Sequence, residues 1–178
     1  VSAVCVYCAS GPVDADYLTL AERTGEAIAK AGLTLVSGGG NVSMMGSVAR
    51  AAREAGGRTI GIIPEHLMKK EVADLDSTEL IVTDTMRERK RLMEEMADGF
   101  LTLPGGIGTF EEFFETWTGG YLGEHDKPVV LLNHGGFYQP MLSWLDDLQT
   151  RGFVSSWALD RLKVCDTVGE SITYLTNG

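Results

Sequence analysis

The sequence predicts an α/β protein, a doubly wound parallel sheet of about seven strands with helices on both faces. Three observations carry that reading. Short β-rich runs alternate with helical patterns along almost the whole chain, the order expected of βαβ units. Glycine, with 22 copies, gathers at the ends of those runs rather than inside them. A length of 178 residues at 44% hydrophobic composition suffices for one substantial core, so residues 1–178 are read as a single domain.

Taken in order, strands are expected at 2–7, 33–37, 58–63, 79–83, 99–103, 128–132 and 162–165, with helices filling the gaps. Residues 17–30 place Leu18, Ala21, Gly25 and Ile28 at helical spacing, and Gly32 stands where a terminating glycine belongs. Residues 43–55 form a second helix, ended by Gly56 and Gly57. Residues 64–76 carry a weak pattern and are read as an irregular connection with one helical turn. Residues 86–97 are periodic again, with Met86, Met93 and Met96 or Ala97 on one face. A helix opening at Thr109 carries Phe110, Phe113, Phe114 and Trp117. Ligands of open α/β sheets bind beyond the carboxyl ends of the strands. The glycine loops 38–40 and 105–108 each follow a predicted strand, so both should line one sheet edge.

Composition narrows the functions. No apolar run approaches the roughly 20 residues of a membrane span, and residues 1–7 read as a buried strand rather than a leader. A soluble, cytoplasmic protein is expected. The net charge of −10 repels polyanions, and no basic stripe with interleaved aromatics is present, which argues against nucleic acid. Three cysteines cannot all pair within one chain. Cys5 and Cys8 spell CxxC without a second such pair, so a reduced setting is favoured over a zinc or redox site. His66, His125 and His134 lack ligand spacing; neither a metal nor a cofactor is implied.

The chemistry concentrates in Pro104-Gly105-Gly106-Ile107-Gly108-Thr109-Phe110-Glu111-Glu112. Glycines let backbone amides approach a ligand closely, and a helix N-terminus offers unpaired N–H groups, which together suit a phosphate. Thr109 and Glu112 also spell a capping box, and spacing alone leaves Glu112 open between cap and catalyst. Ser37-Gly38-Gly39-Gly40-Asn41 precedes the second helix in the same way, with Asn41 or Ser43 able to cap it. Three successive glycines exceed what a turn requires and favour a ligand-facing loop. No dinucleotide or P-loop fingerprint is present. Of the basic run, Arg87 and Arg91 read as a solvated face. Arg89 and Lys90 would stand near a bound anion if their helix begins at the same sheet edge.

Residues 37–46, Met86-x-x-Arg89-Lys90-x-x-Met93, residues 104–112 and residues 122–133 together closely resemble the Lonely guy family of cytokinin-activating phosphoribohydrolases. The resemblance spans nearly the full chain and includes Gly61 to Pro64. Ser43-Met44-Met45-Gly46 departs from the Gly-Leu-Met-Gly of many members. It implies a Rossmann-like fold, a homodimer, and hydrolysis of plain or N6-modified adenosine 5′-monophosphate to free base and ribose 5-phosphate. The catalytic pair carried over by the motifs is Arg89 and Glu112. Substrate contacts carried over are Glu71, Lys90, Gly106, Ile107, Gly108, Thr109, Phe110, Glu111 and Thr118, to which the second loop adds Gly39, Gly40 and Asn41. Some members carry an older label of lysine decarboxylase, but a pyridoxal enzyme needs a Schiff-base lysine and a pyridine partner, which the motifs do not mark. The main alternative is a protein of the same fold that holds a nucleotide or another phosphorylated ligand without cleaving it.

Overall fold

A computed structural model describes residues 1–177. Its seven strands are β1 (Ala3–Tyr7), β2 (Thr34–Ser37), β3 (Thr59–Pro64), β4 (Glu79–Thr83), β5 (Gly99–Thr102), β6 (Val129–Leu132) and β7 (Leu162–Cys165). All pair in parallel, in the order β4-β3-β2-β1-β5-β6-β7. The helices are α1 (Ala15–Lys30), α2 (Ser43–Glu54), α3 (Met86–Met96), α4 (Ile107–Leu122), α5 (Gln139–Thr150), α6 (Ser156–Asp160) and α7 (Val168–Asn177). Each predicted strand is present within a residue or two.

Strand side chains alternate between faces, and the two layers of core follow that alternation. Val4, Val6, Leu35, Leu101, Val130 and Leu132 pack with Ala21, Ile28, Val48 and Leu175, under α1, α2 and α7. Cys5, Tyr7, Val36, Phe100, Val129 and Leu131 pack with Met93, Phe113, Trp117 and Leu145, under α3, α4 and α5. Burial on both faces explains why these strands read as continuous apolar runs.

The expected glycine stops hold. The Gly32 amide donates to the Ala29 carbonyl (2.9 Å) and the Gly56 amide to that of Arg53 (2.9 Å), as at helix ends followed by a left-handed residue. Residues 64–76 contain the one predicted turn, Glu65–Leu67, and otherwise wander.

The caps differ from expectation. α4 begins at Ile107 with Gly106 as its N-cap, two residues ahead of Thr109, so Thr109 lies inside the first turn and cannot cap. Nor does Glu112 reach back: its carboxylate accepts no hydrogen bond among the described residues. α2 is capped by neither Asn41 nor Ser43; Val42 is its N-cap residue and gives no side-chain bond. The Ser43 hydroxyl instead donates to the Gly11 carbonyl, while Asn41 Oδ1 accepts from Arg50 at 2.8 Å.

Candidate active site

From β1 the chain works outward to β4, then returns to lay β5 against the other side of β1. That reversal opens a crevice beyond the carboxyl ends of β1 and β5. A cavity of about 460 Å³ lies there, within the range of small-molecule sites. Its wall combines residues 8–13 after β1, Met44 and Met45 of α2, Glu71, Met86 and Arg89 of α3, and residues 104–109 with Glu111 and Glu112. Tyr17 and Phe137 complete it, their rings meeting edge-on at 5.9 Å.

A row of open amides follows from where α4 starts. Its first internal bond runs from the Phe110 amide to the Gly106 carbonyl (3.0 Å). The amides of Ile107, Gly108 and Thr109 are therefore the unpaired donors of a helix N-terminus, and all three residues line the cavity. With the positive end of the helix dipole behind them, they form a ready anion cradle.

Glu112 stands one turn further along α4, on the cavity wall. Burial pushes its carboxyl up from the usual carboxylate range to about 7; Arg89 opposes the shift, and the charges of Glu71 and Glu111 add to it. Near neutral pH the group thus divides between its acid and base forms, which suits proton transfer.

Arg89 owes its place to helical periodicity. Met86, Arg89 and Met93 lie on the side of α3 that faces the sheet, and Arg89 is buried to 4% exposure with Met93 at 1%. Its guanidinium is held from three sides. Nε donates to the Ile62 carbonyl (2.9 Å), and Nη2 donates to the Gly38 carbonyl (2.6 Å) and to Glu71 (2.8 Å). Nη1 has only the Met86 sulfur, at 3.8 Å, and is the edge left for a ligand. Gly38 makes this possible. A Cβ there would lie 2.2 Å from Arg89 Nη2, so no larger residue fits without displacing the guanidinium.

Of the expected site residues, the structure gathers Arg89, Glu112, Glu71, Gly106, Ile107, Gly108, Thr109 and Glu111 around one cavity. Others lie elsewhere. Lys90, one residue on from Arg89 and so turned about 100° around the helix, is outside the cavity wall and reaches across to α4, pairing with Glu111 (2.7 Å) and Glu115 (2.9 Å). Gly39, Gly40 and Asn41 sit behind the wall, bonded to residues 71–74: Asn41 N–H donates to the Val72 carbonyl at 2.7 Å, and Asp74 N–H to that of Gly39 at 2.8 Å. Phe110 packs edge-on against Tyr138. Thr118 is half-buried on α4, outside the cavity wall.

Sequence reasoning missed the loop after β1. Residues 8–13 are stapled between the other two parts, the Ala9 amide donating to Pro104 O and its carbonyl accepting from the Met45 amide, both at 3.2 Å. The missing glycine fingerprint drew attention away from it. Its place after a central strand was the available signal. Cys8, in this loop, is kept protonated by burial, which pushes its thiol well above the ordinary range with Glu112 adding to the shift. All three cysteines are free and buried.

A family model described as possible lysine decarboxylase matches residues 45–175. The cytokinin riboside 5′-monophosphate phosphoribohydrolase of Mycobacterium tuberculosis is 52% identical over 169 residues, 95% of this chain and 90% of that protein. The enzyme of that name from Oryza sativa subsp. japonica is 42% identical over 153 residues, 85% and 63% of the two chains. Among solved structures, the molybdenum cofactor binding protein of Rippkaea orientalis superposes with a TM-score of 0.73 at 22% identity, over 98% of this chain and 95% of that one, a likeness of fold. The decarboxylase description finds no support in the cavity, whose wall contains no lysine to form a Schiff base. With its level of identity to those hydrolases across almost its whole length, the chain belongs to the Lonely guy family of cytokinin riboside 5′-monophosphate phosphoribohydrolases.

Proposed function

We propose that the protein hydrolyses the N-glycosidic bond of plain or N6-modified adenosine 5′-monophosphate, releasing the free base and ribose 5-phosphate. The observation that carries this reading is the convergence of Arg89 and Glu112 on one cavity under the open amides of α4. Cleavage passes through a sugar cation, so the site needs negative charge near the ribose and an activated water. The ionised form of Glu112 supplies the charge and takes the proton of the attacking water, whose oxygen bonds to the anomeric carbon. As the C–N bond breaks, its electrons go to the purine nitrogen, where the free Nη1 edge of Arg89 stabilises the developing charge; the proton taken up by Glu112 passes through solvent to that nitrogen, giving the neutral base and restoring the carboxylate. The phosphate is a handle: the amides of Ile107, Gly108 and Thr109 bind it away from the breaking bond and hold the sugar for attack.

The homodimer implied by the family fits two apolar side chains left open on α4, Ile107 at 87% and Leu122 at 64% exposure. Three free, buried thiols fit a reducing cytoplasm. No helix among the described residues is long and apolar enough to cross a membrane.

The test is incubation with AMP and isopentenyladenosine monophosphate in parallel, with free base and ribose 5-phosphate read by chromatography. Both products should appear in equal amounts. Saturable nucleotide binding with no release of base would replace this reading with that of a binding protein.

A further inference from the structure

The wall of the cavity that carries Glu71 comes from residues 64–76, the least regular stretch between β3 and β4. We infer that the buried Arg53–Asp74 pair is a positioning device for the reaction, fixing Glu71 and through it the guanidinium of Arg89; this rests on the hydrolase reading above.

Asp74 is 1% exposed, and Arg53, in the last turn of α2, grips it at two points, 2.6 and 3.2 Å. A buried ion pair is a poor source of net stability, because desolvating two charges offsets their attraction. Geometry is a better account of its presence. The segment is also latched to the glycine loop after β2, by the Asn41 and Asp74 backbone bonds and by the bridge of Gly40 to Ala73. Val72 is held at φ +50° within it, a conformation unfavourable for a β-branched side chain and one that persists only where its surroundings enforce it.

The chain of contacts is short. Arg53 holds Asp74, the Asp74 amide holds Gly39, and the glycine loop presents the Gly38 carbonyl to Arg89 Nη2. Three residues before Asp74, the Glu71 carboxylate accepts from the same nitrogen. Freeing Asp74 slackens both acceptors of Nη2 and leaves Nε alone on Ile62. The α4 amides that bind phosphate belong to another part of the wall. Loosening the strut should therefore lower kcat and leave KM nearly unchanged.

The experiment is a double-mutant cycle on the full chain with AMP, using Asp74→Asn, Glu71→Gln and the double variant, with melting temperatures alongside. Asp74→Asn should lower kcat by about 10- to 100-fold, the scale of a small misplacement of a catalytic group, with KM close to its starting value. The double variant should be no slower than the slower single one, since both act through Arg89. Full kcat in Asp74→Asn, or losses that multiply in the double variant, would overturn the strut while leaving the hydrolase reading intact. Absence of base release by the unaltered protein would instead remove the reading on which the strut rests. Should Asp74→Asn fail to fold, Arg53→Lys keeps a cation on Asp74 and gives up the two-point grip. A partial loss of kcat at an unchanged melting temperature supports the strut, and full kcat overturns it.

Discussion

Two glycine loops follow central strands, and they look alike in the sequence, yet they serve opposite partners. After β5, Gly105 is packed against the Thr109 side chain, but the two glycines beyond it face open space: Cβ atoms built on Gly106 or Gly108 meet nothing within 4 Å. Those after β2 are filled by the protein itself. Gly38 is pressed against Arg89, and Gly40 against Met45 and the Glu71 backbone. Glycine in a loop thus records that something approaches closely, without saying whether it is a ligand or a side chain. The difference matters because, under the proposed reaction, it divides the site into a part that binds and a part that positions.

The largest expected effect lies at Glu112, where the binding loop hands over to chemistry. Glu112→Gln should reduce turnover by on the order of 100-fold or more, as loss of a key electrostatic group does, and leave AMP affinity largely intact by equilibrium binding. Unchanged turnover would confine α4 to binding and move catalysis elsewhere.

Next comes Gly38→Ala, which tests the loop read as filled by protein. Its Cβ must displace the Arg89 guanidinium, so kcat should fall by roughly 10- to 100-fold, with a drop of several degrees in the melting temperature for about 1–3 kcal/mol of overpacking. A variant as active and as stable as the parent would show that the guanidinium is not held where the structure has it.

The two loops also show how far a sequence can be read. Sheet and helices were legible because short β-rich runs, helical spacing and glycine stops are local signals, and all seven expected strands are present. Glu112 was legible as a position but not as a role, since Thr109 and Glu112 fit a capping box until α4 proves to start at Ile107. Spacing alone does not separate Arg89 from Lys90, because Arg89 lies three residues after Met86 and four before Met93 while Lys90 lies four after and three before; only the contacts of Arg89 across the fold do. What sequence could not supply is the company kept across the fold: the Arg89 contact to Gly38 spans 51 residues and that to Ile62 spans 27. Pairings at that separation are set by sheet order, which no local pattern encodes.

The pH response sharpens the role of Glu112. Its acid form is the stable one up to about 7, so kcat/KM should fall about tenfold per pH unit below that value if the carboxylate is the active form. Stability should move the opposite way. A folded pKa above the unfolded value favours the fold while the group is protonated, and this contribution is lost as pH rises through about 7. Glu112→Gln cannot ionise and escapes that loss. Its melting temperature should exceed the parent's at pH 8, by a margin reflecting up to about 3 kcal/mol, and the margin should shrink toward pH 4.5. A pH-independent difference would mean that the carboxyl titrates normally.

The smallest effect expected, and the sharpest contrast with Gly38→Ala, is that of Gly108→Ala. The added methyl enters open space, and alanine in the first turn of α4 is worth up to about 1 kcal/mol over glycine, so the melting temperature should hold or rise slightly. Only the ligand should notice, because the methyl stands among the amides proposed to hold the phosphate. KM for AMP should rise several-fold with kcat little changed, the signature of lost uniform binding, and the slow hydrolysis of adenosine, which has no phosphate, should not change. If adenosine is cleaved as fast as AMP, or if Gly108→Ala slows both alike, the phosphate is not the handle. The two glycine loops would then differ in what fills them but not in what they do for the substrate.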